Sequence, residues 1–307
     1  MSDYTEDKKS EKWCRDKIPI LDESTGEIIA EKPIYIMKPQ NIGENMALDD
    51  KQIGRDMFSI LSNQKTGKIA LMVETLKVNE LKLAFDYLDK STEIIQQISC
   101  DMSPSYLKLC REYLPKSQIV IDKFHVIKYV YDAVQSVRNR IKKQVEKSLP
   151  KRKDIKSSSE DEVILTDLEL LQRTRYLLNQ SPDKWNDYQK EMMEKLFEKY
   201  VELKNAYELA QSFKSWYDIN NKSKNRIIQE QLLYHWYEKV ENTAIEEFKS
   251  VVKMIERHED YILNYFKTGL TNAKAETLNG KIQRFITSNY GIRDKDFAIY
   301  RMAGYFS

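Results

Sequence analysis

The sequence has 307 residues, of which 41% are hydrophobic and 11% aromatic, enough for one large domain with an insertion or for two domains. Its 8 glycines and 7 prolines are too few for an all-β or loop-rich protein. The 50 basic and 48 acidic residues nearly cancel, so net charge neither requires nor excludes a nucleic-acid partner. The polar N-terminus, the lack of a long apolar run and 3 scattered cysteines predict a cytoplasmic protein with reduced thiols.

The first part of the chain divides into a polar lead-in and a sheet-forming region. Residues 1–44 mix charged residues with short apolar islands, which predicts a polar N-terminal arm. The segment NMALDD (45–50) is a short apolar strand that ends on acids. MFSILSN (57–63) and KIALMVETL (68–76), joined by the turn QKTG, predict a β-hairpin.

Helices and strands then alternate. Ser103 and Pro104 mark the start of one helix, as N-cap and first helical residue. Alternation after a hairpin predicts an α/β fold with a mixed sheet and flanking helices. The predicted elements are helix 79–90, strand 93–100, helix 103–114, strand 117–122 and helix 125–147.

The second half of the chain is predominantly helical. Residues 147–162 are charged and serine-rich, which is typical of an exposed linker. Apolar residues then recur at helical spacing as far as residue 267. We therefore predict a helical insertion (148–267) between the α/β core (45–147) and a C-terminal helical segment (268–307).

Three carboxylates lie where such a fold can bring them together. Asp49 and Asp101 each end a predicted strand, and Glu276 lies on the last predicted helix. Close carboxylates repel one another unless a cation neutralises them, and Mg²⁺ prefers oxygen ligands. Two such ions about 3.5–4 Å apart activate a nucleophile and stabilise the leaving oxygen of a phosphodiester. Each acid alone also fits a helix cap or a turn.

Three blocks of the sequence carry specific motifs. The block 101–138 carries the Asp-Met-Ser-Pro-x-Tyr motif and, after an apolar strand, Asp-x-Phe-His. The block 271–302 has an Asn and a Glu followed by Asn, Lys and Tyr-Gly-x-Arg, and MALDDKQIG (46–54) is an apolar strand that leads to paired acids. These blocks resemble the core of the IS-L-three family of bacterial DDE transposases, and the resemblance covers roughly residues 40–307.

The resemblance implies a ribonuclease-H-like fold with a helical insertion before the last acid. It also implies that Asp49, Asp101 and Glu276 are the catalytic, metal-binding carboxylates, with two Mg²⁺ or Mn²⁺ ions. Asp50 is a rival for the first position and Asp122 for the second. His125 either starts a helix as a structural residue or supports the site.

Several further groups are candidates for DNA contacts, because cations beside a metal site can hold phosphates. A solvated basic face explains the same residues equally well. The candidates are Asn279, Lys281, Arg284, Arg293 and Arg138.

The implied function is metal-dependent DNA cleavage and strand transfer at insertion-sequence ends, in a nucleoid-associated homodimer on DNA with no membrane partner. Members of the family usually carry a zinc module and a helix-turn-helix before the first acid, and neither is expected in the 48 residues before Asp49. The alternative is therefore a truncated, non-catalytic remnant that only binds DNA or dimerises.

Overall fold

The computed structural model describes residues 16–22, 24–148, 166–220, 225–270, 273–288 and 295–306. The chain divides into two compact units. One unit is formed by residues 1–123 together with 260–307, and the other by residues 124–259.

A mixed seven-stranded sheet forms the first unit. The strands are β1 (Asp16–Leu21), β2 (Ile28–Met37), β3 (Asn45–Ile53), β4 (Asp56–Asn63), β5 (Ile69–Val73), β6 (Gln97–Cys100) and β7 (Gln118–Ile121). Their order in the sheet is β1-β2-β5-β4-β3-β6-β7. The pairs β3–β6 and β6–β7 are parallel, and the other pairs are antiparallel. The predicted α/β class is confirmed.

The helices follow in chain order. They are α1 (Val78–Asp86), α2 (Pro104–Tyr113), α3 (Lys123–Ser148), α4 (Asp167–Arg173), α5 (Asp187–Lys199), α6 (Val201–Asn220), α7 (Arg226–Thr243), α8 (Glu246–Thr268), α9 (Ala273–Ser288) and α10 (Lys295–Phe306). None of these helices of the described residues is long and apolar enough to cross a membrane.

The predicted hairpin is present, but the strand before it is longer than expected. β4 and β5 pair antiparallel on either side of the predicted turn. β3 does not stop at the acids: it continues to Ile53 and pairs with β4 along its whole length. Only its parallel pairing with β6 stops at Leu48. The acids therefore lie where β3 leaves its parallel neighbour rather than at the end of the strand.

The prediction of a polar arm is wrong for residues 16–37, which form β1 and β2. Ile18, Ile34 and Ile36 are at most 3% exposed and anchor these strands in the core. Pro19 is tolerated because β1 is an edge strand, where a missing backbone donor costs little. The charged residues between the apolar islands concealed the strand pattern.

The two faces of the sheet carry separate cores. One core joins Leu48 of β3 and Cys100 of β6 to residues of α1 and α2. The other joins Ile60 of β4 to Leu278 and Ile282 of α9 and to residues of α10. Because side chains alternate along a strand, neighbouring residues of β3 point toward different helices.

The second unit is entirely helical in its described residues, but its boundary differs from the predicted insertion. It runs from residue 124 to residue 259, so that α3 belongs to it from Phe124 onwards. The reason lies in the polar contacts of α3: Arg140 Nε donates to Glu247 Oε1 at 2.7 Å, and Arg140 Nη2 donates to Glu202 Oε1 at 2.7 Å. Helix α3 is thus tied to α6 and α8.

Candidate active site

The parallel strands bring three aspartates to one edge of the sheet. Leu48 of β3 pairs with Cys100 of β6, and Cys100 pairs with Ile121 of β7. The next residue in each case is an aspartate: Asp49, Asp101 and Asp122. The Asp122 N–H donates to the Cys100 carbonyl at 2.9 Å, so the register is maintained as far as these residues.

Asp49 and its neighbour Asp50 lie on opposite faces of β3. Leu48 points into the core of α1 and α2, so alternation directs Asp49 to the face of α9 and Asp50 to the face of α2. Asp49 is held at both carboxylate oxygens. Its Oδ1 accepts the Asp50 N–H at 2.9 Å, and its Oδ2 accepts Asn279 Nδ2 of α9 at 2.8 Å.

Helix α9, whose Asn279 contacts Asp49, also carries Glu276. Leu278 and Ile282 are 3% and 0% exposed and bury one side of the helix. Glu276 is exposed and lies three residues before Asn279, so the two side chains are neighbours on the helix surface. Lys274 Nζ also donates to the Lys65 carbonyl at 2.6 Å, which ties the start of α9 to the β4–β5 turn.

Asp101 has a structural contact in addition to its place at the edge. Its Oδ1 accepts the Ser103 N–H at 2.8 Å, immediately before α2. Ser103 occupies the N-cap position with Pro104 next, as predicted, but its own side chain makes no capping hydrogen bond. Asp101 is half-buried, whereas Asp122 is only 2% exposed.

The buried hydroxyl of Tyr106 is sensitive to the charge of three aspartates. Tyr106 of α2 is 2% exposed, and its hydroxyl lies 2.9 Å from Ser59 Oγ. Burial, and then the negative charges of Asp50, Asp101 and Asp49, raise the pKa of Tyr106 despite the hydrogen bond with Ser59. All three carboxylates therefore act on one hydroxyl.

The described acids do not form a complete set of metal ligands. Within the described ranges, no three His, Cys, Asp or Glu side chains are arranged to hold a metal ion together. The donor chemistry nevertheless fits a hard cation. A carboxylate has about four lone-pair sites. Asp49 accepts one hydrogen bond from Asp50 at Oδ1 and one from Asn279 at Oδ2, and carboxylate oxygens are the ligands that such a cation prefers.

The remaining predicted residues have different environments. Lys281 and Arg284 are exposed on α9. His125 is half-buried in the first turn of α3, with its ring edge-on to Phe124 at 5.8 Å. Arg293 lies outside the described residues.

The structure is inconsistent with a DNA contact by Arg138. This residue is 5% exposed, and burial, followed by the charge of Arg175, lowers the pKa of its guanidinium. Its Nη1 donates to the Leu171 carbonyl at 3.0 Å and its Nε to Gln135 Oε1 at 2.8 Å. The guanidinium holds α3 to α4, so it is not available to a phosphate. Helical periodicity alone did not indicate this burial, because Arg138 interrupts an otherwise apolar face.

Sequence reasoning also missed the link between Asn279 and Asp49, and the Ser59–Tyr106 pair. The tyrosine of the Asp-Met-Ser-Pro-x-Tyr block was the available signal for the latter. The former has no local signal, because Asn279 and Asp49 are separated by 230 positions in the chain.

Comparison with known proteins identifies the family of the chain. A protein-family model described as a transposase, of the DDE type and the IS-L-three group, matches residues 46–302. The chain belongs to the IS-L-three family of DDE transposases. The matched region contains Asp49, Asp101 and Glu276, and the resemblance inferred from the three sequence blocks is confirmed. Transposases of this type generally use divalent metal ions.

One curated relative is the transposase for insertion sequence element IS1001 of Bordetella parapertussis. It is 24% identical over 213 residues, which make up 69% of this chain and 48% of the relative. This transposase-family chain therefore spans about half the length of the relative that it matches. No solved structure matches it.

Proposed function

We propose that this chain cleaves DNA at insertion-sequence ends and joins the freed 3′-hydroxyl to target DNA. In this proposal Asp49, Asp101 and Glu276 are the catalytic carboxylates on a ribonuclease-H-like core. The observation that carries the proposal is the strand register, because Asp49 and Asp101 each directly follow the last pair of residues that joins the parallel strands β3 and β6.

The strand order supports a ribonuclease-H-like core. β3, β4 and β5 form an antiparallel meander, and β6 and β7 are added in parallel beside β3. The second acid then follows β6, the strand after the first helix. This is the position that the family resemblance assigns to it.

Asp49 is a better candidate than Asp50 because of the face that it occupies. Helix α9 carries Glu276 and packs on the same face of the sheet as Asp49. Asp50 belongs to the face covered by α2. A site that uses Glu276 therefore requires Asp49.

Asp101 is a better candidate than Asp122 because of its exposure. A carboxylate that binds a metal and faces a DNA phosphate must be reached from solvent. Asp101 is half-buried at the edge, while Asp122 is 2% exposed behind it. We place Asp122 and His125 in supporting roles.

Asp49 and Asp101, with Glu276, would hold Mg²⁺ or Mn²⁺, and the resemblance implies two ions. When bound, such an ion would supply charge neutralisation and would lower the pKa of a water molecule at the phosphodiester. The protein orients the carboxylates through the Ser103 and Asp50 N–H groups and through Asn279. Lys281 and Arg284 would contact DNA phosphates from α9. The chain would work as a homodimer that holds paired DNA ends.

Nicking of supercoiled plasmid DNA in Mg²⁺ or Mn²⁺ tests this function. We expect cleavage by the wild type and a loss of about 100-fold or more in Asp101→Asn and Glu276→Gln, because each substitution removes a charge from the site. Glu194→Gln, at an exposed position of α5, is the control and should nick like the wild type.

The products and the variants separate the alternatives. Joined DNA molecules support strand transfer, whereas only nicked products indicate a nuclease. DNA binding without any cleavage by the wild type would indicate a non-catalytic DNA-binding protein. Full activity of Glu276→Gln would show that the third carboxylate is wrongly assigned.

A further inference from the structure

The hydrogen bond between Asn279 and Asp49 joins the two halves of the proposed site. Asn279 Nδ2 donates to Asp49 Oδ2 at 2.8 Å. Asn279 lies one helical turn after Glu276. Asp49 and Asp101 each directly follow the last pair of residues in the register of β3 and β6. The bond therefore fixes the helix that carries the third acid against the strand that carries the first.

This contact uses only part of the acceptor capacity of Asp49. Each carboxylate oxygen has two lone pairs, and Asp49 Oδ2 gives one of them to Asn279. The amide thus orients the carboxylate without preventing it from binding a cation. Hydrogen bonds from outer residues to metal-binding carboxylates commonly act in this way.

We propose that Asn279 is a positioning residue for Asp49 and not a DNA contact. This inference rests on the proposed function, since it assumes that Asp49 binds a divalent metal. Asn279 is half-buried, and its amide is directed at the Asp49 carboxylate. The neighbouring cations Lys281 and Arg284 are more exposed and better suited to phosphates.

A positioning role and a DNA contact predict different effects of a substitution on metal affinity and on DNA affinity. Loss of an outer hydrogen bond to a metal ligand typically costs about 10–100-fold in metal affinity. Loss of a phosphate contact instead weakens DNA binding and reduces its dependence on salt. A substitution that removes the Asn279 donor should therefore lower the affinity for metal and leave the affinity for DNA unchanged.

The experiment measures Mn²⁺ affinity by titration calorimetry and, separately, duplex affinity by fluorescence anisotropy in metal-free buffer. Asn279→Leu keeps the size of the side chain and removes the donor, and we expect about 10–100-fold weaker Mn²⁺ binding with unchanged duplex binding. Asn279→Gln keeps an amide donor on a longer side chain and should restore part of the metal affinity. Gln283→Ala, an exposed polar position one turn further along α9, is the matched control.

The outcomes distinguish failure of this inference from failure of the proposed function. Normal Mn²⁺ affinity in Asn279→Leu overturns the positioning role, whether duplex binding is weakened or unchanged. Absence of Mn²⁺ binding by the wild type, even with a duplex present, overturns the metal site and the inference with it. Thermal unfolding of each variant, with a midpoint near that of the wild type, verifies that the fold is kept. If Asn279→Leu unfolds, Asn279→Ala, which also removes the donor, carries the test, and wild-type Mn²⁺ affinity in that variant would contradict the proposal.

Discussion

Tyr106 connects the chemistry of the acidic edge to the core beneath it. Ser59 Oγ donates to the Thr75 carbonyl at 2.5 Å, so the Tyr106 hydroxyl donates its proton to Ser59 Oγ at 2.9 Å. Ionisation of Tyr106 would remove this proton in a buried place next to three carboxylates. The hydroxyl therefore stays neutral in the folded protein, as the raised pKa indicates.

Tyr106→Phe should have opposite effects at neutral and at alkaline pH. Near neutrality we expect a loss of about 0.5–1 kcal/mol in the free energy of unfolding, because one hydrogen bond is lost while Ser59 keeps Thr75 as a partner. Above the ordinary tyrosine pKa of 10.0, the unfolded wild type releases the Tyr106 proton and the folded protein retains it. The wild type therefore loses stability as pH rises, and the variant should lose less between about pH 9 and about pH 11.

Urea denaturation at several pH values measures both effects. Tyr188→Phe is the matched control, because Tyr188 is 59% exposed on α5. An equal alkaline loss of stability in wild type and Tyr106→Phe would contradict the burial argument.

At this scale, residue type and local motif predicted the candidate acids but not their orientation. The assignment of Asp49 rather than Asp50 depends on strand alternation relative to α9, a helix more than 200 positions later. The burial of Arg138 likewise depends on its hydrogen bond to the Leu171 carbonyl, 33 positions later in the chain. Both are tertiary contacts, and no local pattern encodes them.

Among the elements, α10 is joined to the sheet by apolar packing and by Lys295, which has two acidic partners. Lys295 Nζ donates to Glu74 Oε2 at 2.7 Å and to Asp56 Oδ2 at 2.9 Å. Burial opposes the charge of Lys295, but the bonds to Glu74 and Asp56 outweigh burial and raise its pKa. Helix α10 in turn packs on α9, where the ring of Phe285 lies 5.6 Å from that of Tyr305.

Lys295→Met should loosen this arrangement. Methionine keeps the apolar length of the side chain, but it leaves Asp56 and Glu74 without their shared cation. The side chain of Lys295 is 34% exposed, so solvent screens part of the effect, and we expect a loss of about 1–2 kcal/mol in the free energy of unfolding. Urea denaturation measures it.

The control for this prediction is Lys190→Met, since the ion pair of Lys190 with Asp187 is largely exposed. It should change stability by less than about 0.5 kcal/mol. Equal effects of the two substitutions would mean that the Lys295 cluster does not hold α10.

Elements were predictable where their pattern was local. The hairpin, the helices of the second unit and the start of α2 followed from apolar spacing and from the Ser-Pro cap. β1 and β2 were missed because charged residues and Pro19 and Pro33 interrupt their apolar residues. The two segments pair with each other, and β2 also pairs with β5. This pairing depends on distant parts of the chain and is not visible in the segments themselves.

For the whole molecule, the chain order explains how distant blocks contribute to one unit. The sheet is complete by residue 121, the helical unit follows, and residues 260–307 return to the first unit with α9 and α10. We predicted an α/β core interrupted by a helical insertion from residue 148. The helical unit begins at residue 124, because α3 is bound to other helices by Arg138 and Arg140.

Asp49 and Asp101 are proposed to bind a divalent metal jointly. Mn²⁺ titration calorimetry measures this binding. The wild type, Asp49→Asn and Asp101→Asn are compared, with and without a short DNA duplex that supplies phosphate oxygens. We expect binding by the wild type, strengthened by the duplex, and its loss in both variants. Wild-type Mn²⁺ binding in Asp101→Asn, or no binding by the wild type with the duplex present, would contradict the account.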